Sequence, residues 1–223
     1  MDAAGHHPGE LESLTLAASH VRWWPPALAI LIIGVSYTLV SAQLTIGPQY
    51  GVLAIALGAV LGAYALRLRG RVHEGRMIVL GGMAVITVSV TVSAAYLIGA
   101  LLAHNTEAGA LLRDAALLWL SNVLTFALWY WELDGGGPAH RHRTRCGSTD
   151  FAFPQTILGN GEKPVDWLPD FLDYVFLAFN TSTAFSPTDT MVLARRAKVL
   201  MMYQSMISLV TIAVLAARAI NTI

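Results

Sequence analysis

Long apolar runs separated by short polar links set the pattern of this chain. Residues 27–46, ALAILIIGVSYTLVSAQLTI, carry no charge and reach the roughly 20 residues that a spanning helix needs. Pro25 and Pro26 suit the helix start. Arg22, Trp23 and Trp24 precede them and read as interfacial anchors. GPQY is a turn, and residues 49–68 form a second span ending at Arg67 and Arg69, whose long stems can snorkel. Gly58 and Gly62 form a G-x-x-x-G pair that suits close packing within the chain. RLRGRVHEGR, 67–76, is expected as a short basic loop before a third span, 77–103. That span holds Thr87, Ser89, Thr91 and Ser93. Their spacing of two suits a strand, but an isolated strand cannot span lipid, so they become two hydroxyl faces of a helix. Residues 109–131 are the fourth span, and Trp129, Tyr130 and Trp131 at its end suggest an aromatic belt.

The pattern then changes. Residues 132–170 contain GGGP, HRHRTR, LGNGEKP and WLPD, which are turn and loop signals. FLDYVFLAFNTSTAF, 171–185, is apolar but short. As a helix it covers about 23 Å against a hydrocarbon thickness of about 30 Å. It therefore either dips into the membrane or crosses with help from its flanks. SPTD, 186–189, resembles a capping box for the last helix, with Ser186 as cap and Pro187 at the first helical position. The last helix should run to about Asn221. The expected fold is an all-α, polytopic helical membrane bundle of five spanning helices plus one short re-entrant or sixth helix. Its segments are an N-terminal cytoplasmic stretch (1–26), a four-helix membrane region (27–131), a connector loop (132–170) and a short pore-like helix with the final helix (171–223). Residues 132–170 are too few for a core of their own, so Phe151, Phe153 and Trp167 should anchor them on the bundle. No solenoid repeat, heptad array or pair of inverted halves is evident.

Composition agrees. The chain is 55% hydrophobic and 13% charged, with a mean hydropathy of +0.57. The charge deficit fits a lipid solvent. Lys+Arg and Asp+Glu are both 14, so no bulk charge points to nucleic acid. The start lacks an apolar region of the kind found in a cleaved secretory signal. Cytoplasmic loops are rich in Lys and Arg. With the N-terminus inside and 171–185 only dipping, all cations except Arg113 and Arg218 are cytoplasmic. A full crossing moves Arg195, Arg196 and Lys198 outside. The expected location is the inner (plasma) membrane.

Polar residues line up within the helices. Asp114, Ser121, Thr125 and Glu132 fall within about 20° of one line on the fourth helix, with Asn122 beside it. Gln204, Ser208, Thr211 and Arg218 form a second line on the last helix, next to Ser205. Such lines either hold a bundle together by interhelical hydrogen bonds or border a hydrated path.

Little points to catalysis or to a cofactor. No H-E-x-x-H, G-x-S-x-G or P-loop pattern occurs, and Cys146 is the single cysteine. All seven histidines lie in links or the N-terminal stretch. His140-Arg141-His142 reads as a solvated basic loop that could also touch a metal or anionic headgroups. Asn180-Thr181-Ser182 fits a glycosylation sequon by chance. Asp170, Asp173 and Asp189 are explained by capping of helix ends.

Two resemblances follow from particular stretches. In FLDYVFLAFNTSTAFSPTDTMVLARRAK, Asp173 and Tyr174, then Thr181 to Ser186, then Arg196 follow the order of a pore helix, a filter and a later arginine. The C-terminal part thus resembles the pore module of tetrameric potassium channels. Ala184 and Ser186 replace the filter glycines, so potassium selectivity is not implied. Filters of that family face outward whereas the arginines put this segment on the cytoplasmic side; an inverted arrangement, like that of glutamate-receptor channels, reconciles the two. WYWELDGGGP, DFAFPQ and TAFSPTDT make the whole chain similar to an uncharacterised family of bacterial membrane proteins, which implies membrane location and no known activity.

The function expected is that of a pore-like, ion-conducting homo-oligomer, not an enzyme. The alternatives are a small-solute transporter or a non-transporting scaffold. Thr181, Ser182, Thr183, Ala184, Phe185 and Ser186 are the candidate pore lining, and Asp189 just beyond them would attract cations.

Overall fold

The computed structural model describes residues 22–103, 107–144, 150–157, 167–183 and 190–221. The helices are α1 (Trp24–Leu39), α2 (Gly51–Leu68), α3 (Val72–Ala103), α4 (Ala108–Leu133), α5 (Pro138–Thr144), α6 (Pro154–Ile157), α7 (Phe171–Thr183) and α8 (Arg195–Asn221). Two residues, Phe151–Ala152 (β1), pair antiparallel with Met191–Val192 (β2). Among the described residues, four helices are long and apolar enough to cross a membrane: α2, α3, α4 and α8. The chain has the make-up of an integral membrane protein.

The fold is organised around α4, which packs against α1, α3, α7 and α8. Its most apolar window is 67% buried, against 33% or less in the other three spans. Val123 to Leu128 are buried without a break, as expected of a helix enclosed on all sides. The outer helices show lipid-type residues to the outside, including Leu61, Val88 and Leu209. The arginine-rich ends of the helices coincide. The α2–α3 link, the end of α4 and the start of α8 meet there, and Arg113 and Arg218 sit at the other end.

Several boundaries differ from the sequence reading. The first apolar run stops being helical at Leu39, and Ala42–Leu44 form a separate 3-10 turn. The 16-residue α1 is therefore about 24 Å long, a short apolar helix rather than a full 20-residue span. The turn lies where Arg113 Nη2 donates to Ser41 Oγ at 3.2 Å. The basic link 67–76 shrinks to Arg69–Arg71, because α3 already begins at Val72. Glu74 in its first turn pairs with Arg71 and complements the helix dipole. The G-x-x-x-G pair does not make the close approach: Gly58 faces open space and Gly62 is in ordinary contact with Ile78. Gly34 of α1 does, because a Cβ there would lie 3.0–3.1 Å from Leu53 and Ala56. Trp129, Tyr130 and Trp131 are interior rather than a belt. Tyr130 is fully buried, and Trp129 donates to Thr87 Oγ1 at 2.9 Å.

The short helix α7 starts at the arginine-rich end of the bundle. Near its start, Tyr174 donates to Asp134 Oδ2 at 2.5 Å, just past the end of α4. Near its other end, Ser182 Oγ accepts from Gln204 Nε2 at 2.7 Å. Gln204 lies four residues before Ser208, the middle of the 27-residue α8. The chain is back at the arginine-rich end by β2, where Leu193 N donates to Asp150 O at 2.9 Å. Ser186 is not the cap of α8. That helix starts nine residues later at Arg195, and the carbonyl of Ala194 accepts its first bond from Lys198 N at 3.2 Å.

Candidate functional site

Two polar assemblies stand out, one at the end of α4 and one at the tip of α7. A helix leaves its last four carbonyls without intrahelical donors. In α4 the Asp134 N–H meets the first of these, Tyr130 O, and three arginines from different parts of the chain meet the other three. Arg141 Nη1 donates to Trp131 O at 2.8 Å and to Asp134 O at 2.5 Å. Arg76 Nη2 donates to Glu132 O at 2.7 Å. Arg196 Nη2 donates to Leu133 O at 3.2 Å. Cations at a helix C-terminus are also favoured by its dipole.

Each of these cations has a further partner. Arg76 pairs with Glu132 at 3.0 Å and Arg196 with Asp150 at 2.7 Å. Arg141 lies 5.2 Å over the Tyr174 ring. Asp134 is fully buried. Its Oδ1 accepts from Asp150 N at 2.6 Å and Phe151 N at 3.3 Å, and its Oδ2 from Tyr174. The connector is thereby fastened to the bundle, with Phe151 packed between Tyr130 and Tyr174, and Phe153 between Tyr174 and Trp167. Arg141 is thus buried, not part of a solvated loop, while His140 Nδ1 is 2.9 Å from Gly135 O. Among the described residues no group of three His, Cys, Asp or Glu is placed to hold a metal ion.

The second assembly joins α4, α7 and α8 around Gln204. Its Nε2 donates to Ala178 O and Ser182 Oγ, both at 2.7 Å, and its Oε1 accepts from Tyr130. Asn122 Nδ2 donates to Gln204 O at 3.2 Å and Ser208 Oγ at 2.9 Å. The lines on α4 and α8 therefore meet at Asn122, Gln204 and Ser208. Their other members act separately. Ser121 and Thr211 donate to carbonyls of their own helices. Asp114 pairs with Arg113 at 2.9 Å near the far end, and Glu132 belongs to the arginine cluster. Among the described residues, the buried atoms that lack a hydrogen-bond partner include Asp114 Oδ2, Trp119 Nε1, Asn122 Oδ1, Thr125 Oγ1 and Asn180 Nδ2.

No family model, curated protein or solved structure matches the chain. The site is therefore read from its own geometry.

Of the candidate pore lining, Thr181, Ser182 and Thr183 form the last turn of α7. Thr181 Oγ1 donates to Leu177 O at 2.8 Å and Thr183 Oγ1 to Phe179 O at 3.2 Å. Ala184, Phe185, Ser186 and Asp189 lie outside the described residues. At the start of α7 the acidic residues do cap: Asp170 Oδ1 accepts from Phe171 N and Asp173 Oδ2 from Asp170 N, both at 2.7 Å. The sequence reading missed Asp134, Asp150, Arg76 and Tyr130. The usable signal was GGGP directly after a helix ending in two acids. It marks a sharp reversal that brings later cations back onto the helix end.

Proposed function

We propose that this chain is a subunit of a pore-like membrane protein that conducts small ions without potassium selectivity. The observation that carries the reading is the path of α7. The helix starts at the arginine-rich end and stops level with Gln204, and the chain is back at that end by Leu193. A 13-residue helix is about 20 Å long, too short to cross, so it serves as a re-entrant half-helix. Backbone that ends at membrane depth needs protein or water around it. The partnerless polar atoms of Asn122, Thr125 and Asn180 suit ordered water at that depth. The C-terminal end of α7 carries the negative pole of its dipole, which favours a cation.

Five passes with the N-terminus and the arginine-rich end in the cytoplasm, in the plasma membrane, complete the reading. Leu172, Phe176 and Phe179 form an exposed apolar stripe on α7, which suits a homo-oligomer with α7 packed toward a shared axis. The resemblance to the potassium-channel pore module points the same way. The test is planar-bilayer recording of the purified protein, with cysteines at Thr181 and Thr183 on a Cys146→Ser background. Small water-soluble thiol reagents should label both positions and change the current. An electrically silent protein with both positions unlabelled is instead a scaffold.

A further inference from the structure

A cavity of about 840 Å³ opens at the arginine-rich end, and no residue of α7 or α8 lines it. It lies between the start of α1, the end of α2, the start of α3 and the end of α4. Its size falls within the range of small-molecule sites, about 300–1,000 Å³. The inner wall is apolar, formed by Ala27, Ile30, Val60 and Leu128. The small side chains of Ala27 and Ala63 on the lining leave space that larger ones would fill. Trp23 and Tyr64, with ring centroids 5.4 Å apart, stand at its edge.

The polar part of the lining is unbalanced. Arg67, Arg71, Arg76 and Arg143 face it, against Glu74 and Glu132. Glu74 offsets Arg71 only in an exposed pair, where Coulomb attraction is weak. Arg76 uses Nε and Nη2 on Glu132, and a guanidinium has five N–H donors, so Nη1 remains able to donate toward a ligand. The start of the 32-residue α3 also borders the cavity, and its dipole favours negative charge there.

We infer that this cavity is a binding site for a single-chain anionic amphiphile. The apolar tail lies against Ala27, Ile30, Val60 and Leu128, and the phosphate or carboxylate head meets Arg71 and Arg76. The site does not depend on ion conduction and rests on none of the α7 geometry.

The test uses the full chain in phosphatidylcholine nanodiscs. Binding is measured for lysophosphatidic acid, lysophosphatidylcholine and inorganic phosphate. Lysophosphatidic acid should bind saturably, and the other two should not. Arg71→Gln should weaken binding about tenfold, the loss of one charge-assisted contact. Ala63→Trp should abolish it by filling the cavity, while Arg195→Gln outside the cavity leaves it unchanged. Gel filtration and thermal unfolding check that each variant is folded. Equal binding of both lysolipids would overturn the anionic head, and equal binding of inorganic phosphate would overturn the tail. Binding that survives Ala63→Trp in folded protein, or no saturable binding at all, would overturn the site.

Discussion

The Cβ that Gly137 lacks would lie 2.8 Å from Nη2 of Arg76. That guanidinium is held there by the carboxylate and carbonyl of Glu132, so it cannot withdraw without uncapping α4. Gly137 also sits at φ +104°, and Gly135 and Gly136 are at positive φ as well. The GGGP run thus both reverses the chain and leaves room for an arginine against its backbone.

Gly137→Ala should therefore cost about 2–4 kcal/mol, combining backbone strain with a displaced ion pair. Thermal unfolding of the detergent-solubilised protein measures it. Gly58→Ala is the control. It faces open space on a helix and should be neutral or stabilising by up to about 1 kcal/mol. A Gly137→Ala protein as stable as the wild type would mean that Arg76 is dispensable to the end of α4.

Asp134 is the point where connector, α4 and α7 meet. Asp134→Ala strands the N–H groups of Asp150 and Phe151 and the Tyr174 hydroxyl, and should cost about 3–5 kcal/mol. Tyr174→Phe removes one bond of that set and should cost about 1–2 kcal/mol. Unfolding of the two variants and of their double mutant gives the coupling. If the double mutant equals the sum of the singles, Tyr174 and Asp134 do not act through their shared hydrogen bond.

What the sequence revealed follows from the range of the forces involved. Apolar runs and helical spacing are local, so α2, α3, α4 and α8 were legible, as was the shortness of 171–185. The hydroxyls of α3 do divide into two sets: Ser93 bonds Tyr37, while Thr87 and Thr91 meet Trp129 and Tyr203. Asn122, Gln204 and Ser208 were legible as lines, but not as one network, because their meeting depends on how α4 packs against α8, far away in sequence. The arginine cluster was hidden for the same reason. Arg76, Arg141 and Arg196 are far apart in sequence and look like ordinary loop charges until the fold brings them to one helix end. The end of α1 was missed because apolar residues continue past Leu39 into a turn fixed by contact with Arg113.

Gln204 should be the residue that holds α7 in place. Gln204→Leu keeps the approximate volume but leaves the hydroxyls of Tyr130 and Ser182 without that partner. Each buried group so stranded costs about 1–3 kcal/mol. Amide hydrogen exchange across 171–183 should rise well before that of 115–130 in α4. Unchanged protection of α7 would show that apolar contacts alone retain it.

The course of α7 also predicts the sidedness of the chain. Arg196 pairs with Asp150 and donates to Leu133 O, and Tyr174 is bonded to Asp134. The start of α7, the start of α8 and the end of α4 therefore share one end of the bundle. The α2–α3 link shares it too, through Arg76 and Glu132. Single cysteines at Arg69, Leu172 and Lys198, on a Cys146→Ser background, should react with a membrane-impermeant maleimide from the same side. A cysteine at Tyr50, in the α1–α2 link, should react from the other. In intact cells the first three should label only after permeabilisation, because arginine-rich links stay in the cytoplasm. If position 198 labels with position 50 and opposite to 69, α7 crosses the membrane completely. The chain then has six passes, and the half-helix on which the pore reading rests does not exist.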